Sequence, residues 1–309
     1  MLNGSSHHLR SLPVEHVQFI EEIITRCGPE PHEYETLSQW FRHTAEHVQE
    51  GRITQEAVTT FWREVTIAHF HDSMQGHVVV KPHGYAGDFE IIDRIYLKNI
   101  SEDERVKRWD AYFHAQHAPR AVRNRKTYFH ELLRRKLAES IRRPLHVLNV
   151  ASGSARDVAE WCAAHGTDEI HFDCVEMDTK AIAYAQSLCV SYGDCVHFIC
   201  ANALRFSTTA RYDLVWSAGF FDYLNDGLFV RLLKRLIRFT REGGEVVIGN
   251  FGNNNPTRIW MEMFGGWQLI HRGEDDVAAL GVSAGVDATG THISSEPEGV
   301  NLFLHINVK

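Results

Sequence analysis

The chain has 309 residues, enough for about two domains at roughly 150 residues each, and 44% apolar with 23% charged residues is ordinary globular composition. A net formal charge of −8 argues against a surface built to displace counterions from a phosphate backbone, so no nucleic-acid partner is expected. No window approaches eighteen consecutive apolar residues, and the start, MLNGSSHHLRSLP, lacks a basic-then-apolar leader pattern. A cytoplasmic location and no membrane partner are therefore expected. Six cysteines (Cys27, Cys162, Cys174, Cys189, Cys195 and Cys200) form no C-x-x-C pair and sit largely in apolar runs, which reads as reduced, buried thiols.

The first 140 or so residues predict helix after helix. Apolar positions recur at three and four in Val14-Val17-Ile20-Ile23-Ile24, in Tyr34-Leu37-Trp40-Phe41 and in Val58-Phe61-Trp62-Val65. Gly28-Pro29, Gly51 and the Gly76 region read as stops between them. A further helix, dense in Arg and Lys, is expected from about Pro119 to Arg142, ending at Pro144. His69, His71, Asp72 and His77 lack the i, i+4 spacing of a helical metal site, so no metal is expected.

Beyond Pro144 short β-rich runs alternate with helices: LHVLNV, DVAEWCAAHG, IHFDCVEM, KAIAYAQSLCVSYG, VHFICA, YDLVWSA, DGLFVRLLKRLIRFT and EVVIGNF. Such alternation predicts an α/β fold with a parallel sheet covered by helices on both faces. LIHR and VNLFLHINV read as strands of an antiparallel edge hairpin. Two domains are expected, residues 1–142 as a helical cap and residues 143–309 as a Rossmann-like domain.

Ligands of open parallel sheets sit at the carboxyl ends of the strands, and here the first strand-to-helix turn is Asn149-Val150-Ala151-Ser152-Gly153-Ser154-Ala155-Arg156-Asp157. Only Gly153 remains of a G-x-G-x-G spacing, with Ala151 and Ala155 at the flanking positions. Strand two ends in Val175-Glu176-Met177-Asp178, where Glu176 is placed to accept from both hydroxyls of a ribose. Asn202 and Ala203 at the third strand end suit an adenine edge, and the fourth ends in Trp216-Ser217-Ala218-Gly219. Without a ligand, Gly153 reads as a tight turn, Glu176 as a solvated carboxylate and Arg125 as one charge on an Arg-rich helix face. No G-x-S-x-G elbow suggests hydrolase chemistry.

These strand ends resemble the class I S-adenosylmethionine (SAM)-dependent methyltransferase fold over roughly residues 143–309, including the Arg241-Glu242-Gly243-Gly244 turn. Lys81-Pro82-His83-Gly84-Tyr85-Ala86-Gly87-Asp88, Ala121-Val122-Arg123-Asn124-Arg125, Trp267-Gln268-Leu269-Ile270 and Glu296-Pro297-Glu298-Gly299-Val300-Asn301-Leu302 sharpen the likeness. Together they resemble the branch with a helical N-terminal cap, which includes proteins of 3-hydroxy fatty acid methyl ester biosynthesis and azetidine-2-carboxylate synthases. The resemblance implies SAM as ligand, a small-molecule substrate, no metal, and binding by Asp88, Arg125, Ala151, Gly153, Glu176, Met177, Asn202, Ala203 and Phe221; it leaves the oligomeric state open.

Aromatic faces attract a sulfonium without offering a nucleophile, which draws attention to Phe220, Phe221, Tyr223 and Tyr85. Asn149 stands where methyltransferases of this fold commonly carry Asp or Glu. A neutral amide there does not favour the ammonium form of the SAM amine, leaving more free amine to attack the γ-carbon. Asn149, Ser217 and Tyr85 are accordingly expected to be catalytic in a cyclisation to azetidine-2-carboxylate and methylthioadenosine. The alternatives are methyl transfer to a carboxylate or hydroxyl of a small metabolite or fatty acid, and a non-catalytic SAM-binding protein suggested by the two alanines.

Overall fold

A computed structural model describes residues 14–287 and 290–309; the opening segment read above for a leader lies outside them. The chain divides into two compact units. One takes in the described residues up to Arg120 together with Pro256–Gln268, and the other comprises Ala121–Asn255 and Leu269–Lys309.

Helices α1 (Val14–Thr25), α2 (Tyr34–Gln49), α3 (Gln55–His69), α4 (Met74–Val80), α5 (Phe89–Tyr96) and α6 (Lys107–Ala115) build the first unit, joined by α11 (Arg258–Gly265). Side-chain caps set their starts: Thr54 accepts from the Ala57 N–H, Ser73 from Gly76 and Asp88 from Glu90 and Ile91. Gly76 is thus not a stop. It lies in the first turn of α4, where a Cβ would meet the His71 carbonyl at 1.8 Å. Trp62 is fully buried among Phe41 and Phe264, with ring centroids 5.5 and 4.1 Å away. Phe264 comes from α11, so burial of this aromatic core draws residues 256–268 out of the Rossmann-like sequence.

Helix α7 (His117–Glu139) matches the expected long helix but ends three residues early. Its residues Phe129, Leu132 and Leu133 are buried with Leu145, Val147 and Trp216 of the sheet. Most of α7, from Ala121 onward, accordingly belongs to the α/β unit.

The second unit holds β1 (Leu145–Val150), α8 (Arg156–His165), β2 (Ile170–Glu176), α9 (Thr179–Leu188), β3 (Val196–Cys200), β4 (Tyr212–Ser217), α10 (Asp226–Phe239), β5 (Thr240–Phe251), α12 (Glu274–Ser283), β6 (Thr291–Ser295) and β7 (Asn301–Asn307). Strand order is β3-β2-β1-β4-β5-β7-β6, parallel through β5 and antiparallel at β7 and β6. Order reverses between β1 and β4, which opens a crevice at their carboxyl ends. Side-chain alternation divides the sheet: Val147, Trp216, Val247 and Phe303 face α7 and α8, while Leu148, Val215, Ile248 and Leu304 join Leu232, Leu233 and Leu236 of α10.

The edge hairpin forms, but LIHR is not one of its strands. Arg272 makes one isolated bridge to Gly252, while the polar Thr291–Ser295 pairs with β7. The buried Arg272 guanidinium instead donates to Asn250, Asp226 and the Leu224 carbonyl, holding this segment against the turn before α10. Among the described residues no helix is long and apolar enough to cross a membrane.

Candidate functional site

Three residues of the turn after β1 are left-handed: Ala151 (φ 55°), Gly153 (φ 55°) and Ala155 (φ 47°). The alanines therefore adopt the glycine-type path that their spacing suggested, at a steric cost of roughly 1–2 kcal/mol each. Such strain persists where the surroundings hold it. The Ala151 N–H donates to the Val175 carbonyl at 2.8 Å, and the Gly153 N–H donates to Glu176 Oε2 at 2.9 Å.

Glu176 also accepts from the backbone of Met177 (2.6 Å) and Asp178 (2.9 Å) through Oε1. Its carboxylate thus locks the β1 and β2 turns together and keeps part of its acceptor capacity, since a carboxylate has about four lone-pair sites. Met177 is exposed, and its sulfur accepts from Asn202 Nδ2 at 3.4 Å. Asn202 Oδ1 accepts from the Leu204 N–H at 2.8 Å, shaping the turn after β3, with Ala203 half-buried beside it.

At the switch point, Ser217 is fully buried and its hydroxyl donates to the Val150 carbonyl at 3.0 Å. That bond fastens the ends of β4 and β1. Arg125 is not a solvated residue: it is 7% exposed, and its Nη1 donates to the Ala218 carbonyl at 3.2 Å. Gly219 makes room for it, because a Cβ there would lie 2.7 Å from Nη1. Phe221 is fully buried and packs edge-on to Phe229 at 4.8 Å.

Two buried acids join this end of the sheet without having been singled out. Burial pushes the Asp157 carboxyl up to about 6, against lowering by the Val158 N–H and the Arg125 charge. Burial likewise takes Asp222 up to about 6, opposed by the Phe251 N–H and by Arg125 and Arg272. Asp157 closes the first strand-to-helix turn and Asp222 sits between Phe221 and Tyr223, but only tertiary burial distinguishes them from surface acids.

Asn149 is 3% exposed and its Nδ2 has no hydrogen-bond partner. Among the described residues of this unit, the buried side-chain polar atoms without a partner are Asn149 Nδ2, Ser152 Oγ and both polar atoms of Asn301. All belong to the carboxyl-end rim of the parallel strands. An unpaired buried polar group costs about 1–3 kcal/mol, so their gathering at one rim fits a polar ligand there.

Tyr85 and Asp88 lie in the helical unit. Tyr85 is exposed between the left-handed Gly84 and Gly87. Asp88 is buried, capping α5 while it pairs with His77 Nε2 at 2.9 Å. Its carboxylate is thereby committed to holding the loop. Of the histidines and acids for which no metal was expected, His71 pairs with Asp72 and His77 with Asp88.

Sequence comparison supplies what geometry alone does not. Residues 147–244 match the methyltransferase-domain family. The matched stretch begins in β1 and ends within β5, so it contains the strand ends just described. The fold is that of class I SAM-dependent methyltransferases, with an antiparallel edge hairpin and an N-terminal helical region. Similar solved structures include a possible exported protein from Bordetella parapertussis, 15% identical, covering 72% of this chain and 79% of that one at a TM-score of 0.60. The apo form of the SAM-dependent methyltransferase SibL is also 15% identical, covering 85% of this chain and 76% of its own at a TM-score of 0.51. No curated protein matches the chain in sequence. Since 1041 solved chains share the likeness, the fold does not select the reaction.

Proposed function

We propose that the chain binds SAM at the carboxyl ends of β1 to β4 and cyclises it to azetidine-2-carboxylate and methylthioadenosine. Glu176 with the Gly153 turn would hold the ribose, Asn202 and Ala203 the adenine, and Arg125 the α-carboxylate. The observation that carries the reaction is Asn149: a buried, uncharged carboxamide with an unpaired donor stands one residue before the end of β1. A carboxylate there would stabilise the ammonium form of the SAM amine, whereas the amide leaves the free amine accessible near its ordinary pKa of about 8. The amine lone pair attacks the γ-carbon, the γ-carbon–sulfur bond breaks, and its electron pair leaves on sulfur as neutral methylthioadenosine. The ammonium of SAM gives up one proton to water before the attack, and the ring nitrogen keeps its two protons as the ammonium of the zwitterionic product.

A second reading is supported by the methyltransferase-domain match itself. In it the domain transfers the SAM methyl group to a carboxylate or hydroxyl of a small metabolite or fatty acid. A non-catalytic SAM-binding role remains the third, and the retained turn geometry at Ala151 and Ala155 weakens its motive.

Incubating the pure protein with SAM alone, with products identified by mass spectrometry, separates them. Cyclisation yields methylthioadenosine and a four-carbon cyclic amino acid without any acceptor. S-adenosylhomocysteine formed only with an added acceptor would replace cyclisation by methyl transfer, and binding without turnover would leave the non-catalytic role.

A further inference from the structure

Asn301 opens β7, paired with Phe251 at the carboxyl end of β5. It is fully buried, yet neither its Oδ1 nor its Nδ2 has a hydrogen-bond partner. Strand alternation puts it on the same sheet face as Phe303, Val247 and Trp216, the face covered by α7, which carries Arg125.

The surroundings of the amide are specific. A Cβ built on Gly249 would lie 3.0 Å from Asn301 Nδ2 and 2.8 Å from the Ala218 carbonyl oxygen. That same carbonyl accepts from Arg125 Nη1 at 3.2 Å. Glycine at 249 therefore keeps any side chain out of the space between the Asn301 amide and the carbonyl that anchors the guanidinium. Glu296 fixes the backbone of this corner, accepting from the N–H groups of Val300 (2.8 Å) and Asn301 (3.0 Å). Its other oxygen accepts from Asn124 Nδ2 at 2.8 Å, the neighbour of Arg125 in sequence. Glu296 thus ties the backbone at Asn301 to α7 one residue from Arg125, while the Asn301 amide is left without a partner.

We propose that Asn301 is a carboxylate-binding residue, its Nδ2 donating beside Arg125 to the α-carboxylate of the amino-acid end of SAM. The assignment rests on SAM being the ligand. The guanidinium and the amide Nδ2 both offer N–H donors to the anion, and a bond made away from water to a charged acceptor is the strong kind.

The test measures binding of three probes by calorimetry: S-adenosylhomocysteine, decarboxylated SAM and methylthioadenosine. Asn301→Asp, nearly isosteric, replaces a donor by a charge that repels the carboxylate. It is expected to weaken S-adenosylhomocysteine roughly ten- to a hundredfold and to leave decarboxylated SAM and methylthioadenosine within twofold. Asn301→Ser, smaller and neutral, is a second variant that keeps a donor and should show a lesser loss in the same order; thermal melts check that both fold. Equal losses for all three probes, or tighter S-adenosylhomocysteine binding by Asn301→Asp, would overturn the assignment. Failure of the unaltered protein to bind any of the three would overturn SAM as the ligand, and this assignment with it.

Discussion

The Gly153 N–H donates to Glu176 Oε2 at 2.9 Å, so the acid at the end of β2 is also the clamp of the turn after β1. Glu176→Ala is expected to cost about 1–3 kcal/mol of stability by releasing backbone donors. SAM affinity should fall by a similar factor, because the loosened turn and the lost ribose acceptor act together. Denaturant titration and calorimetry on one preparation check both; unchanged SAM affinity would remove Glu176 from the site.

Ala151 gives the opposite sign. It is held at φ 55°, where a Cβ crowds the backbone. Ala151→Gly should therefore stabilise the protein by roughly 0.5–1 kcal/mol, despite the greater freedom glycine gains in the unfolded chain. A lower midpoint in urea would show that the alanine methyl contributes packing that outweighs its strain.

Gly219 tests the placement of Arg125. A methyl group there meets the far end of a flexible side chain, 2.7 Å from Nη1, so the arginine can move at little cost to folding. Gly219→Ala should leave the melting temperature nearly unchanged while weakening SAM as much as Arg125→Ala does. Gly249→Ala meets the Ala218 carbonyl backbone instead, and is expected to destabilise the fold.

How far these residues could be found from sequence depends on the range of the interaction that places them. The order of strands and helices after Pro144 is written in local periodicity, and the strand ends followed directly from it. Arg125 was undecided because its partner, Ala218, lies 93 residues away. Phe221 shares its type with its neighbours Phe220 and Tyr223, and only the fold shows its packing against Phe229. Strand β6 was missed because Thr-His-Ile-Ser-Ser is polar, while Leu-Ile-His-Arg carries the apolar signal of a strand and is held by Arg272 side-chain bonds instead. Asn301 was part of a quoted segment, but an unsatisfied amide is a property of the folded state.

Stability should depend on pH through groups of opposite sign. Burial raises Glu245, but hydrogen bonds from His305 and Lys136 outweigh it and leave the carboxyl lowered from 4.5 to about 2. Its contribution, about 3 kcal/mol, is present above the unfolded pKa and is lost as pH falls from 4.5 towards 2. Glu245→Gln should then differ from the unaltered protein at pH 7 much more than at pH 2. Asp157 runs the other way: raised by burial from 3.8 to about 6, it binds its proton more tightly folded than unfolded. Stability from this group is greatest below pH 4 and declines as pH rises to 6. Asp157→Asn, which keeps an acceptor for the Val158 N–H, should stabilise at pH 8 and do little at pH 4. Urea midpoints at these pH values check both signs.

The reaction itself is decided at Asn149. If the SAM amine is the nucleophile, methylthioadenosine formation from SAM alone should rise with pH as the amine, unperturbed near about 8, loses its proton. Asn149→Asp would put an anion beside that amine and stabilise the ammonium. A one-unit rise in the amine pKa lowers the free-amine fraction at neutral pH about tenfold, so the variant should be slower at pH 7 and its profile displaced upward. SAM binding should survive, because ammonium and carboxylate attract. The same substitution has a different consequence for methyl transfer, where the SAM amine takes no part in bond making and a stronger grip on the ammonium leaves the pH profile to the acceptor. Profiles of methylthioadenosine and S-adenosylhomocysteine formation, measured with and without acceptor on both proteins, therefore separate the two reactions. An unmoved profile in an Asn149→Asp protein that still binds SAM would sink the cyclase and leave methyl transfer.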